Sequence, residues 1–434
     1  MVGYLMFSVS KFSGVGKFMV KPIDKSLMAI ARGIEQLPGL SLEQRATSQN
    51  WTEAPYNRWS FQRVQQFTST VRVTRSPEPL TISAALQDFS ELGFLDSQGS
   101  HCTIAQMLDR TWTDGFLVMH KGQILTENYL NGMRADSLHL IMSCSKSFLS
   151  TLFGIYVDRG DLDPDQQIER YLPELIGSGI EGATLQNLLD MQVGVKFNED
   201  YDDLDSDLRQ SEIATGWRQS DGAYDGPTDM LSYASTLRSD GGAHGDVFHY
   251  QSVLTNMLGC ALERVTGRRF ADLFAEHVWH PIGSEQDLVS ISDAAGYASF
   301  EGGFNVCLRD FARFGQLICD NGRVNQTQVV PESWISECRY GDEQLVDAFA
   351  RGEYAEVIKG GAYHNKWWQR DPQNGIIMAL GIHGQIIYIN PEINFVAVKM
   401  STHPGATDIE FTVDQMLGIE AIAENLIDQE AHGH

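Results

Sequence analysis

The strongest constraint on this 434-residue chain is the distance between its two β-rich runs, residues 116–130 (FLVMHKGQILTENYL) and residues 381–402 (GIHGQIIYINPEINFVAVKMST). Each is rich in β-branched, aliphatic and aromatic residues and breaks at a turn, Lys121-Gly122 in the first and Asn390-Pro391-Glu392 in the second. Between them the pattern is helical: residues 183–195, 253–267 and 308–322 repeat apolar positions at helical spacing. Strands at both ends of a helical middle predict an antiparallel sheet built from distant segments. The fold class expected is therefore α+β, an α/β sandwich with an inserted, mostly helical domain. Its predicted parts are an N-terminal extension packed on the core (1–75, with one helix at Lys25–Gln36), an α/β region from 76–165 and 336–434, and a helical region from 166–335.

Composition narrows the partners. Lys and Arg number 32 against 57 Asp and Glu, a formal charge of −25, so the surface repels phosphate backbones and anionic headgroups. Neither nucleic acid nor a membrane is expected as a partner. The acidic residues are spread along the chain and read as a solvated surface. The six cysteines form no CxxC pair and lie mostly in apolar patterns, which predicts buried free thiols in a reducing compartment. The N-terminus shows no clear signal-peptide apolar region, and no run of 18 apolar residues occurs, so a cytoplasmic protein is expected. A homodimer is compatible with the chain, but the sequence does not decide the oligomeric state.

Chemistry enters at Ser143-Cys144-Ser145-Lys146, an S-x-x-K box opening a predicted helix whose apolar positions Phe148, Leu152, Ile155 and Tyr156 run up to Gly160. At i, i+3 the hydroxyl and the amine share a helix face. A serine hydroxyl is a weak nucleophile until a base takes its proton, and a desolvated lysine can serve. The helix N-terminus also presents free N–H groups where an oxyanion would form. About one or two such boxes arise by chance in a chain this long, and Ser8-Val9-Ser10-Lys11 is one without a following amphipathic helix. Cys144 points roughly 100° away around the helix and is not read as the nucleophile. A second element, Tyr250-Gln251-Ser252, precedes the helical stretch 253–267. For Tyr250 to act as a base at neutral pH its pKa must fall by roughly 3 units, about 4 kcal/mol, which a nearby ammonium could supply.

With SCSKSF and the Tyr250 box, the segments ATLQNLLDMQVG, FEGGFNVCLRDFARFG, VVPESW and GIHGQIIYINPEINFVAVKMS stand in the order found in class C β-lactamase-like serine hydrolases, a β-lactamase/transpeptidase-like fold. Within that group the chain most resembles the 6-aminohexanoate-dimer (nylon-oligomer) hydrolase branch, over roughly residues 50–428. The resemblance implies that Ser143 is acylated and that Lys146 and Tyr250 share proton transfer. It further implies that the N–H groups of Ser143 and Ile382 form the oxyanion hole. Tyr201 would reach the substrate from a loop, with Trp368 and His383 beside the pocket, and Glu212 would offer an acidic contact to an amine-bearing substrate. Glu301 stands where some members of the branch have Asn.

Two departures from the wider family bear on the substrate. Where many relatives have K-T-G on the strand lining the site, this chain has Ala379-Leu380-Gly381, and Ser252 replaces the Asn of Y-x-N. A β-lactam carboxylate thereby loses an obvious partner, so feeble or no β-lactam turnover is expected. No metal or cofactor is implied. The acidic run Asp203, Asp205, Asp207 lacks the Gly and final Glu of a calcium loop, and His277 and His280 lack a third ligand. The function implied is hydrolysis of a small-molecule amide through a Ser143 acyl-enzyme. The alternatives are a carboxylesterase or acyltransferase of the same fold, and an inactive binding protein that retains it.

Overall fold

The computed structural model describes residues 45–203, 205–219 and 224–432. The helix expected at Lys25–Gln36 and the Ser8 box lie outside these residues. In chain order, the strands that position the site are β1 (Thr70–Val73), β2 (Thr113–His120), β3 (Gln123–Tyr129), β4 (His139–Leu140), β5 (Leu288–Ile291), β6 (Phe304–Val306), β7 (Ala362–His364), β8 (Trp367–Asp371), β9 (Ile376–Gly381), β10 (Gln385–Asn390) and β11 (Phe395–Ser401). The helices that do so are α1 (Ser145–Asp158), α2 (Asp207–Ala214), α3 (Val253–Thr266), α4 (Leu308–Cys319) and α5 (Ile409–His432).

The two distant β-rich runs join in one seven-stranded antiparallel sheet, ordered β7-β8-β9-β10-β11-β2-β3. The junction is β11 against β2, with Val396 opposite Met119 and Val398 opposite Leu117. β10 and β11 are buried along their whole lengths. Both of their faces are covered, which is why they read as continuous apolar runs instead of alternating ones. The α+β class predicted from the sequence is the one observed.

Helix α4 carries its apolar face, including Phe311, Phe314 and Ile318, onto β2, β10 and β11. The sequence pattern places residues 308–319 in the middle helical region. Periodicity shows that such a helix has a face to bury but not which layer receives it.

Helix α1 is buried from Ser145 through Tyr156, a helix enclosed on all sides. Its buried hydroxyls are satisfied by main-chain carbonyls: Ser147 donates to Lys366 at 2.8 Å and Ser150 to Asn365 at 2.5 Å. Gly154 lets α1 seat against the next layer, since a Cβ there would lie 2.2 Å from the Trp334 ring.

A second, four-stranded sheet runs β1-β5-β6-β4. The segment leading into β1 packs beside it, with Trp51, Phe61 and Val64 forming a small core with Leu140, Met142 and Ile291. All six cysteines are free and buried. Among the described residues no helix is long and apolar enough to cross a membrane.

Candidate active site

Ser143 sits in a 3-10 turn, Met142–Cys144, that feeds directly into α1. Met142 takes a left-handed φ of 48°, a strained choice for a non-glycine residue beside a candidate nucleophile. The end of β9 comes close to this turn because Gly381 has no side chain; a Cβ there would lie 2.7 Å from the Ile141 carbonyl oxygen. That approach brings Ile382, the next residue, to the same cavities as Ser143. Both residues line a cavity of about 450 Å³ and a smaller adjoining one of about 80 Å³.

The Lys146 amine donates to Ser143 Oγ at 2.8 Å, and also to the main-chain carbonyl of Glu301. Lys146 is only 1% exposed. Burial lowers its pKa to about 8, although Glu199 and Glu301 nearby pull the other way. Its amine lies 5.0 Å from the centre of the Tyr250 ring, and Tyr250 lines the smaller cavity together with Ser143.

The main chain fixes the Tyr250 loop. His249 N–H donates to Met191 O at 2.8 Å, Tyr250 N–H to Glu353 at 2.9 Å, and the Gln251 amide to Val195 O at 2.7 Å. Trp368 stacks on the Tyr250 ring at 5.5 Å. This environment reverses the expected shift of Tyr250. Burial, the largest effect, and the neighbouring Tyr363 and Glu199 push its pKa well above 10. The lysine is therefore the member of the pair that gives up its proton more readily, and the tyrosine remains a phenol.

Tyr201, Glu212, Glu301 and His383 all line the larger cavity, while Trp368 lines the smaller. Tyr201 donates its hydroxyl to Glu199 at 2.6 Å. His383 is nearly buried, its Nδ1 against His403 O at 2.7 Å, and burial holds its pKa down at about 4, so it is neutral at pH 7. Glu212 departs from the role implied for it. Arg209 donates to one of its oxygens at 2.5 Å and Arg218 to the other. Two guanidiniums on one carboxylate leave no spare negative charge for a substrate amine.

Sequence reasoning missed several residues here. Glu199, half-buried, accepts from both the main-chain N–H and the hydroxyl of Ser252, and so ties the Y-x-S box to Tyr201. Burial raises its pKa despite the Lys146 charge. Its place in the run NEDYDDLDSDL reads as solvated acid. Asn57, from the N-terminal extension, donates to His403 O at 3.1 Å, while His403 N–H donates to His383 O at 3.0 Å, bracing the turn that carries Ile382. Among the described residues no group of three or more His, Cys, Asp or Glu side chains could hold a metal ion.

The chain as a whole matches known proteins. A model of the β-lactamase family matches residues 103–415. The chain is 33% identical over 360 residues to the 6-aminohexanoate-dimer hydrolase of Paenarthrobacter ureafaciens, covering 82% of this chain and 88% of that one. Among solved structures, a Bacillus anthracis protein provisionally described as a 6-aminohexanoate-dimer hydrolase superposes with a TM-score of 0.81 at 28% identity, covering 90% of this chain and 99% of that one. A family VIII carboxylesterase shares the fold at a TM-score of 0.54 and 16% identity, over 71% of this chain and 91% of its own.

Proposed function

The chain belongs to the β-lactamase family, and from that premise we propose that it is a serine hydrolase that cleaves a linear amide through an acyl-enzyme at Ser143. The observation that carries the reading is the buried Lys146 amine 2.8 Å from Ser143 Oγ. With its pKa near 8, a useful fraction of Lys146 is neutral at physiological pH and can take the serine proton as Oγ attacks the carbonyl carbon. The oxyanion then faces the main-chain N–H groups of Ser143 and Ile382, donors held by rigid backbone. Tyr250, still a phenol, gives its proton to the departing nitrogen and recovers one from the Lys146 ammonium, which lies beside its ring.

An amide differs from an ester chiefly in needing that leaving-group proton. A protonated phenol in the same cavity as the nucleophile therefore supports the amide reading, as does the amide substrate named for the Paenarthrobacter relative. The six free thiols fit a reducing, cytoplasmic setting. A β-lactam would find no lysine on β9 for its carboxylate, and penicillin turnover is expected to be feeble. The test is a substrate panel: the linear 6-aminohexanoate dimer beside short p-nitrophenyl esters. Turnover of both is the expected result; ester turnover without amide turnover would make the protein an esterase.

A further inference from the structure

We propose that Glu301 is the base that activates the water of deacylation. The inference rests on the reading of Ser143 as the acylated residue and assigns the second half of that reaction.

The two cavities divide the site. Ser143, Tyr201 and Ile382 line both, but Tyr250 lines only the smaller and Glu301 only the larger. A leaving group protonated by Tyr250 departs on the Tyr250 side. Water has room on the other side, in the cavity of about 450 Å³, which Ser143 and Glu301 both line. The main-chain oxygen of Glu301 accepts from the Lys146 amine, which also donates to Ser143 Oγ, so the Glu301 main chain stands two hydrogen bonds from the nucleophile.

Its carboxyl is held for a purpose other than packing. Asn256 donates from Nδ2 to Oε2 at 2.9 Å and accepts at Oδ1 from the Glu301 main-chain N–H at 3.1 Å, a two-point clamp that fixes the side chain. A carboxylate offers about four lone-pair sites, so acceptor capacity remains for a water. The charged and titratable groups around it are Lys146, which favours its ionised form, Glu199, which opposes it, and Tyr233. Burial outweighs the lysine and raises its pKa to about 7, which suits a base working near neutrality.

In the step, a water O–H bond breaks as its oxygen bonds to the acyl carbon, and the proton passes to Glu301. The tetrahedral intermediate collapses with cleavage of the bond between that carbon and Ser143 Oγ. Oγ takes a proton from the Lys146–Tyr250 pair, and the proton held by Glu301 restores the pair. The balance is ester plus water to free serine plus carboxylic acid.

The experiment compares wild type with Glu301→Gln and Glu301→Asn, both able to keep a hydrogen bond with Asn256, using p-nitrophenyl acetate and rapid mixing. The expected result is an initial burst of one p-nitrophenol per enzyme at near-normal rate, followed by steady turnover slowed about 10²-fold. Intact mass should show a persistent acetyl group on Ser143, and the rise of the wild-type deacylation rate through pH 7 should vanish in the variants. Unchanged steady turnover in both variants overturns the proposal, as does equal slowing of the burst and the steady phase, which marks a structural role. If wild type and variants turn over substrate and neither ever carries an acyl group on Ser143, the acyl-enzyme reading fails first and this inference with it.

Discussion

At the scale of single residues, the site turns on which of two buried groups keeps its proton. Lys146 and Tyr250 are both enclosed, and burial disfavours the charged form of each: it lowers the lysine toward 8 and raises the phenol. One group is thus made a better base and the other a more persistent acid. Only neutral Lys146 accepts the serine proton, so the acylation rate should climb as pH rises through about 8 and level off above it. Tyr250→Phe should retain that rise while losing about 10²–10⁴-fold in amide turnover, with esters of good leaving groups much less affected. Stopped-flow acylation and steady-state amide assays across pH 6 to 10 check both statements. A variant that loses amide and activated-ester turnover equally would assign Tyr250 to the attack instead of to the leaving group.

Among the secondary-structure elements, α2 shows where local reading stops. Arg209 and Glu212 lie at i, i+3, a pairing the spacing allows. Nothing local brings in Arg218 beyond the helix end as the second partner. With its charge matched, Glu212 should contribute little to substrate choice. Glu212→Gln is expected to change the preference between an amine-bearing amide and a neutral one of equal length by less than about fivefold, within ~1 kcal/mol. Comparing kcat/KM for the two substrates tests this, and a tenfold loss of amine preference would return Glu212 to substrate contact. The same limit explains Glu199: an acid in an acidic run is marked only by what folds onto it, here Ser252 and Tyr201. The Ser143–Lys146 pair was legible because both residues lie within one turn at a helix start, whereas the pKa of Tyr250 depends on Tyr363, Glu199 and Tyr354 from three other segments.

Across the whole molecule, the sheet was legible because strands buried on both faces leave continuous apolar runs, and two such runs must be satisfied together. The destination of α4 was not, since amphipathicity does not name the layer it meets. The described residues before β1 are a structural part of the site's support: Arg58 donates to Asp114 at 2.6 Å and to Thr402 at 2.7 Å, joining them to β2 and to the end of β11. Asn57 beside it braces the turn of Ile382, and Thr52, Glu53 and Ala54 form part of the cavity wall. The most direct test of the central claim is mass spectrometry of the protein after reaction with a serine-directed phosphonate. One adduct per chain is expected, mapped to Ser143, with loss of hydrolysis in step with labelling and no adduct on Ser143→Ala. Labelling at another serine that abolishes turnover, or full hydrolytic activity in Ser143→Ala, would contradict it.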